Sequence, residues 1–274
     1  MAETITSAAN PLVKRIRLLA SRKHRREQGA FVVEGIQPVW RAVAAGWQIE
    51  ALLLDPDLRL DSPAAAMVDE QDARGVRVAR LSHELFQRLS SREGHAGLLA
   101  VVRSRQPTVA DLSPGPDSVF VALHRIGNPG NLGTIIRTVD AVGGAGVILI
   151  GDTTDPYAPT AVKASMGSLF AIDVVHVPAN EAFLSWAREH GVEILAASGQ
   201  AELAHWNASY RPPLCVLLGS EGEGLPADLL AIASQQIKIP MTGTAESLNV
   251  AAAAAVILYE VRRHRIGPNV RRQP

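Results

Sequence analysis

Three glycine-containing segments in the second half of the chain carry polar side chains that could bind a ligand and act on it. They span Asn128–Arg137, Leu218–Pro226 and Ile239–Asn249, and each follows a run of apolar residues. Runs that are apolar at successive positions are typical of parallel strands covered on both faces. Because ligands of open parallel sheets bind at the carboxyl ends of the strands, these segments are candidates for a binding site.

The first segment combines a helix start with an arginine. Turn-rich residues lead into a helix expected to begin near Leu132 or Gly133, with Asn131 as a possible N-cap. Arg137 lies about one and a half turns further along. Helix amides and a guanidinium can bind phosphate through charge-assisted hydrogen bonds. Taken alone, the segment is also explained by a capped helix with a surface arginine.

The second segment is a glycine-rich loop that contains two acids. Gly219, Gly222 and Gly224 would let the backbone approach a ligand closely. Glu221 and Glu223 would repel a phosphate, so the loop suits a cation or a hydroxyl donor better. The alternative is a tight turn capped by Glu221.

The third segment leads directly into an alanine-rich helix expected at about Leu248–Arg263. Ser247 and Asn249 are hydrogen-bonding residues at the helix entry, on either side of Leu248. An N-cap would explain one of them. It would not explain the long irregular approach that follows a buried strand.

The three segments resemble, in order and separation, the signature motifs of the SpoU (TrmH) class of RNA ribose 2′-O-methyltransferases in the SPOUT superfamily. The matching stretches are Asn131–Arg137, Gly219–Leu225, and Ile239–Met241 with Ser247–Val250. Residues 25–35 resemble, less specifically, the substrate-binding domain often attached to these enzymes. The long N-terminal extension is similar to that of ribosomal RNA methylases, some of which confer antibiotic resistance.

The resemblance implies an α/β fold with a deep trefoil knot, and a homodimer joined through the knotted domain. It also implies S-adenosylmethionine as the cofactor, held inside the knot. The residues then expected to contact the cofactor are Ser198, Gly199, Leu218, Gly219, Glu221, Gly222, Ile239, Met241, Ser247 and Leu248.

The family's active-site positions fall on Asn131, Arg137, Glu221, Ser247 and Asn249. The ribose oxygen would attack the activated methyl carbon, so the protein mainly has to align the reactants. Arginine is too weak an acid to serve as a general base, so Arg137 is expected to anchor phosphate and stabilise charge on the 2′-oxygen. Glu221 would hold Arg137 or the knot loop, and the other three would orient the ribose and the loops.

Two positions depart from the family pattern. His124 stands where many relatives carry an acid, and Ala251 stands where serine is common. Neither change removes a residue assigned to the site. His124 is interpreted as a structural residue at a strand end, with a role as catalytic base as the alternative.

The elements that must position these residues form two α/β domains. The 274-residue chain exceeds a usual single domain of ~100–200 residues, and prolines and glycines punctuate residues 105–118. The sequence predicts an N-terminal RNA substrate-binding domain over 1–106, a linker over 107–117 and the methyltransferase domain over 118–274. The second domain alternates apolar runs with helices, which is typical of a parallel sheet.

Basic residues cluster at both ends of a chain whose net charge is zero. Such clusters suit a polyanion, because each neutralised phosphate releases counterions. The alternative for each is a solvated helix face or tail. The second cluster lies within residues 262–272. The residues predicted to bind RNA are Lys14, Arg15, Arg22, Lys23, Arg25, Arg26 and Arg137.

Several function classes are disfavoured. The single cysteine, Cys215, leaves no disulfide or cysteine-rich zinc site, and no metal is expected. No apolar stretch reaches the ~20 residues of a membrane span and no signal peptide is evident, which predicts a cytoplasmic protein. Gly143–Gly146 precedes a strand instead of following one, which argues against a nucleotide-dependent oxidoreductase. Ribosomal RNA is the expected substrate, and the alternatives are transfer RNA or a non-catalytic RNA-binding protein.

Overall fold

A computed structural model describes residues 3–58, 63–90 and 97–266. The chain divides into two compact units: unit 1 comprises Met1–Arg105 and Asp155–Ala171, and unit 2 comprises Gln106–Thr154 and Ile172–Pro274. The division after Arg105 lies next to the predicted boundary. The residues predicted as a linker instead form part of unit 2, because Leu112 is buried in its core and its carbonyl accepts a hydrogen bond from Trp186 Nε1.

Unit 1 is built on a five-stranded mixed sheet in the order β1-β4-β3-β5-β2, in which β5 runs antiparallel to both neighbours. Asn10 and Ser82 cap the helices that follow them, as their side chains accept from backbone amides. The elements are β1 (Glu3–Ile5), α1 (Pro11–Leu18), α2 (Arg22–Gln28), β2 (Ala30–Glu34), α3 (Ile36–Ala44), β3 (Ile49–Leu54), α4 (Pro63–Ala73), β4 (Arg77–Leu81), α5 (His83–Leu89) and β5 (Leu98–Arg103).

Unit 1 also contains the segment Asp155–Ala171 with α7 (Pro159–Ser165), which the sequence placed in the second domain. Asp155 forms a buried ion pair with Arg25 at 2.7 Å, and the ring of Tyr157 packs on Phe31 with 4.5 Å between centroids. These partners lie more than a hundred residues earlier in the chain. A local sequence pattern therefore gives no sign of where the segment packs.

Unit 2 contains a seven-stranded sheet in the order β10-β12-β9-β11-β6-β7-β8, and every pairing in it is parallel. This confirms the predicted parallel α/β domain, and the mixed sheet of unit 1 confirms the smaller α/β domain. The elements are β6 (Val119–His124), α6 (Pro129–Ala141), β7 (Gly146–Ile150), β8 (Asp173–Val177), α8 (Asn180–Glu189), β9 (Glu193–Ala197), β10 (Leu203–Ala204), β11 (Leu214–Leu218), α9 (Ala227–Ala231), β12 (Gln235–Lys238) and α10 (Val250–Ile266).

The strand order of unit 2 brings the predicted functional segments to one edge of the sheet. The strands β12, β9 and β11 are neighbours, so the loops that leave their carboxyl ends lie side by side. The chain moves outward from β6 through β7 to β8 and returns to the opposite side of β6, which makes β6 and β11 a topological switch point. From there α10 packs against α6 and β11. No helix among the described residues is long and apolar enough to cross a membrane.

Candidate active site

A chain of hydrogen bonds joins the three predicted segments. Asn131 Nδ2 donates to Glu221 Oε1 at 2.7 Å, and Asn249 Nδ2 donates to Asn131 Oδ1 at 3.1 Å. These side chains come from α6, the loop after β11 and the residue before α10, and they are 90 and 118 positions apart in the sequence. The expectation that they share one site agrees with this geometry.

Helix capping positions two of these side chains. α6 begins at Pro129, and its N-cap is Asn128, whose Oδ1 accepts from the amides of Gly130 at 2.8 Å and Asn131 at 3.2 Å. The prediction that Asn131 caps this helix was therefore wrong, since proline at the first helical position starts the helix earlier. Asn131 thereby keeps its side chain for Glu221. Asn249 Oδ1 accepts from the amide of Ala251 at 2.9 Å, which caps α10.

The segment Gly219–Leu225 closes on itself. It is called the donor loop below, because the resemblance implies that it contacts the methyl donor. Ser220 and Gly224 form an isolated antiparallel bridge, and the Gly224 amide donates to the Ser220 carbonyl at 3.1 Å. A Cβ on Gly219 would lie 2.1 Å from the carbonyl carbon of Gly224. Only glycine fits at this position. The closed loop presents Glu221 and Glu223 at its exposed tip.

The loops after β9, β11 and β12 form the rim on which the sequence predicts the cofactor site. Met241 and Leu248 expose 37% and 39% of their surface there, which offers apolar contact for an adenine ring. Nothing lies within 4 Å of a Cβ built on Gly199, so this part of the rim has room. Glu221 adds negative charge that suits a sulfonium or an amino group. The other residues predicted for the cofactor lie on these same loops or, for Leu218, at the end of β11: Ser198, Leu218, Gly219, Gly222, Ile239 and Ser247.

Two of the predicted catalytic residues are not tied into the hydrogen-bonded group. Arg137 lies on the exposed side of α6, and it makes no side-chain hydrogen bond or ion pair with the part of the chain that the structure describes. Glu221 binds Asn131 and not Arg137. Ser247 is exposed in the loop before α10, likewise without a side-chain hydrogen bond to a described residue. Both side chains are accessible to a substrate.

His124 is buried at the end of β6, next to the switch point. It is 9% exposed, and its Nδ1 has no hydrogen-bond partner among the described residues. Burial lowers the pKa of His124, the charge of Arg125 lowers it further, and Asp228 and Glu223 oppose the shift. A lowered pKa keeps the imidazole neutral near pH 7. This burial fits the structural interpretation of His124.

The predicted RNA-binding residues of unit 1 separate into two groups. The guanidinium of Arg25 is buried against Asp155 and the carbonyls of Leu19 and Ala20, so it is not available to a phosphate. Arg15 binds Gln28 and Glu50. By contrast, four others are exposed, and among the described residues only Lys23 of these four has an acidic partner, Glu27 at 3.9 Å. The exposed members are Lys14, Arg22, Lys23 and Arg26.

Asp55, Asp57 and His83 of unit 1 are a candidate metal-ligand group, because their ligand atoms lie within 4.8 Å of one another. Sequence analysis did not find this group, since the three residues carry no metal-binding spacing. Exposed acidic groups often cluster without a metal, so the geometry alone assigns no ion.

Comparisons with known proteins were made for the sequence and for the fold. Residues 118–259 match the SpoU rRNA Methylase family, and residues 10–100 match the MRM3-like substrate binding domain. A 23S rRNA (uridine(2479)-2′-O)-methyltransferase of Streptomyces viridochromogenes is 32% identical over 91% of this chain and 88% of its own. A 23S rRNA (guanosine(2553)-2′-O)-methyltransferase of Bacillus subtilis is 28% identical over 94% of this chain and 98% of its own.

The fold is also similar to that of a solved enzyme. An AdoMet-bound rRNA methyltransferase from Sinorhizobium meliloti has a TM-score of 0.88 and 36% identity, over 96% of this chain and 98% of that one. The family match covers more than half of the 274 residues and includes all three segments of the site. The chain belongs to the SpoU rRNA methylase family.

Proposed function

We propose that this protein transfers a methyl group from S-adenosylmethionine to a ribose 2′-hydroxyl of 23S ribosomal RNA. The observation that carries the proposal is the hydrogen-bonded convergence of Asn131, Glu221 and Asn249 beside the donor loop. Two relatives that match nearly the whole chain, including its N-terminal unit, are named for a specific nucleotide of 23S rRNA, which favours ribosomal over transfer RNA. Because its substrate is ribosomal RNA, we place its action in the cytoplasm.

The donor loop and its neighbouring loops would hold the cofactor. The backbone of Leu218, Gly219 and Ile239 lines the rim, while Met241 and Leu248 provide the apolar contacts. S-adenosylmethionine supplies a methyl group on a sulfonium, so the leaving group is already activated. The protein's task is then to hold the ribose oxygen in line and to exclude other acceptors.

Asn131, Asn249 and Glu221 act as a positioning network, because each side chain fixes the orientation of the next. With Asn131 held at both ends, the start of α6 and the donor loop keep a constant separation. The guanidinium of Arg137 is accessible to bind the phosphate next to the target ribose. Its charge also stabilises the negative charge that develops on the 2′-oxygen. Ser247 is accessible to the ribose.

Quantitative mass spectrometry of 23S rRNA tests the reaction. Ribosomal RNA from cells that lack the gene should carry one ribose methyl group fewer, and purified protein with S-adenosylmethionine should restore it. Methylation of a base, or of transfer RNA only, would refute the proposal. If calorimetry showed no binding of S-adenosylmethionine, the non-catalytic RNA-binding alternative would be favoured instead.

The exposed cations of α1 and α2 are proposed as the RNA surface of unit 1, with a structural role for Arg25. Arg26→Ala should weaken RNA binding with little change in Tm. The slope of log affinity against log salt concentration should fall by about one, because one counterion fewer is released on binding. Arg25→Ala should instead lower the stability by ~3–5 kcal/mol, because it leaves Asp155 buried without its partner. Thermal melts and RNA titrations at several salt concentrations separate the two effects. A stable Arg25→Ala protein that loses RNA affinity would contradict this division.

We further propose that unit 2 forms a homodimer through α10. Val256 and Tyr259 expose 38% and 55% of their surface on one side of this helix, and Trp206 exposes 50% in the turn that packs against it. A symmetric partner would bury the same apolar residues from both copies. Tyr259→Asp should therefore shift the protein from dimer to monomer in light scattering, whereas Trp40→Asp, which replaces an exposed side chain of α3, should not. A monomeric wild-type protein at micromolar concentration would exclude this interface.

A further inference from the structure

The tip of the donor loop is held at two points, one in the connection that follows β6 and one in the first turn of α6. Glu221 accepts from Asn131, which belongs to the family's active-site set. Glu223, two residues further along the tip, lies 3.6 Å from Arg125 Nη1. Arg125 is the first residue after β6, and neither it nor Glu223 has been assigned a role so far. We propose that Arg125 is a positioning residue that keeps the donor loop closed over the cofactor through Glu223.

The backbone at Arg125 supports a functional reason for this side chain. Arg125 has φ +53°, and only it and Met166 among the described non-glycine residues have positive φ. Side chains are disfavoured in this region, where glycine or asparagine is common. The Arg125 amide donates to the Ile150 carbonyl at 2.9 Å, so this conformation is held by the sheet edge. A long cationic side chain at such a position is typical of a residue retained for what the side chain does.

The donor loop needs a contact of this kind. Its closed form depends on the Ser220–Gly224 bridge and on glycine at 219, and Glu223 at its tip is 81% exposed. Two carboxylates two residues apart repel each other. Arg125 begins the short connection after β6 and Asn131 lies in the first turn of α6 that follows it, so together they fix both the position and the orientation of the tip.

The competing interpretation is that Arg125, which is 56% exposed, contacts an RNA phosphate. The ion pair favours a role of Arg125 in positioning the donor loop, because Glu223 is the acidic partner observed for the Arg125 side chain. The two interpretations predict different measurements. A loop contact changes the affinity for S-adenosylmethionine without RNA present, whereas a phosphate contact changes only the KM for RNA.

The test is a double-mutant cycle on the full-length protein, read by calorimetry with S-adenosylmethionine alone. Arg125→Gly and Glu223→Gln should each weaken cofactor binding about two- to fivefold, the range expected for an exposed ion pair. The double variant should be no weaker than either single one. High salt should remove the difference from wild type, and Arg125→Lys should retain most of the affinity.

The melting temperature provides a second readout. If Arg125 only stabilised the fold, its loss would lower both Tm and cofactor affinity. Arg125→Gly removes the backbone strain at φ +53°, so its Tm should be unchanged or higher while its cofactor affinity falls. Met166→Gly is the matched control, since it relaxes the same kind of strain at φ +50° in unit 1 and should leave cofactor affinity unchanged. Additive effects in the cycle, or a change confined to the KM for RNA, would overturn the proposal.

The inference rests on the proposed role of the donor loop in cofactor binding. Gly219→Ala tests that role separately. If Gly219→Ala leaves cofactor binding intact, the assignment of the loop fails. If Gly219→Ala abolishes binding while the Arg125–Glu223 cycle shows no coupling, only the role of Arg125 fails.

Discussion

Replacing Arg137 with alanine is expected to reduce methyl transfer by ~10²–10³-fold, the loss typical when one donor to a developing oxyanion is removed. Affinity for S-adenosylmethionine should remain close to that of wild type. The physical reason is that Arg137 is exposed on α6 and makes no contact with the donor loop, so its removal disturbs neither the loop nor the core. Single-turnover methylation of 23S rRNA and calorimetry with the cofactor measure the two quantities.

Two further variants give this experiment its specificity. Arg137→Lys keeps the charge but loses the two-pronged hydrogen bonding of a guanidinium, so it should restore only part of the activity. Arg188→Ala removes an exposed arginine from α8 of the same unit and should leave both quantities unchanged. If Arg137→Ala lost turnover and cofactor affinity to the same extent, the role assigned to Arg137 would be incorrect.

The site could be predicted from the sequence because its signals are local and ordered. Glycine in the donor loop and asparagine at the entry to α10 each serve a nearby backbone requirement, which leaves a recognisable pattern. The apolar run before the second segment coincides with β11 (Leu214–Leu218), whose residues are all buried, as is typical of a parallel strand covered on both faces. Three such motifs in one order were enough to identify the family.

Long-range packing could not be predicted in the same way. In the sequence, Arg25 is one of several cations in a basic run. Only the structure shows that it is buried beside Asp155, which is 130 residues away. The helix α6 begins four residues earlier than Gly133 because Asn128 and Pro129 form its start together. Arg271 and Arg272 of the second basic cluster lie outside the described residues.

The deep knot was predicted from the family resemblance alone, and membership of the SpoU family confirms it. Periodicity and composition contain no information about which loop passes through which. Because knots are very rare, general topological rules would have excluded one here. The strand order shows only that the chain returns from β12 past β9 and β11 to place α10 against α6.

Gly219→Ala is expected to remove cofactor binding and, with it, activity. The added Cβ would lie 2.1 Å from the Gly224 carbonyl carbon and 2.6 Å from the Leu225 amide nitrogen. Both are backbone atoms that cannot rotate away, so the donor loop would have to open. A displacement of about 1 Å in a positioning loop can cost ~10²-fold in activity, and we expect a loss of at least this size in kcat/KM.

Gly127→Ala is the matched control, because Gly127 is exposed in the connection before α6, is not among the residues predicted to contact the cofactor, and has nothing within 4 Å of a Cβ built on it. Its cofactor affinity should stay within about twofold of wild type, since a small exposed substitution away from any contact is normally neutral. Tm should be similar for the two variants if opening is confined to the loop, which separates a lost site from a lost fold. Equal cofactor affinity in both variants would mean that the closed form of the loop is not what binds S-adenosylmethionine, and the placement of the cofactor on this rim would then be wrong.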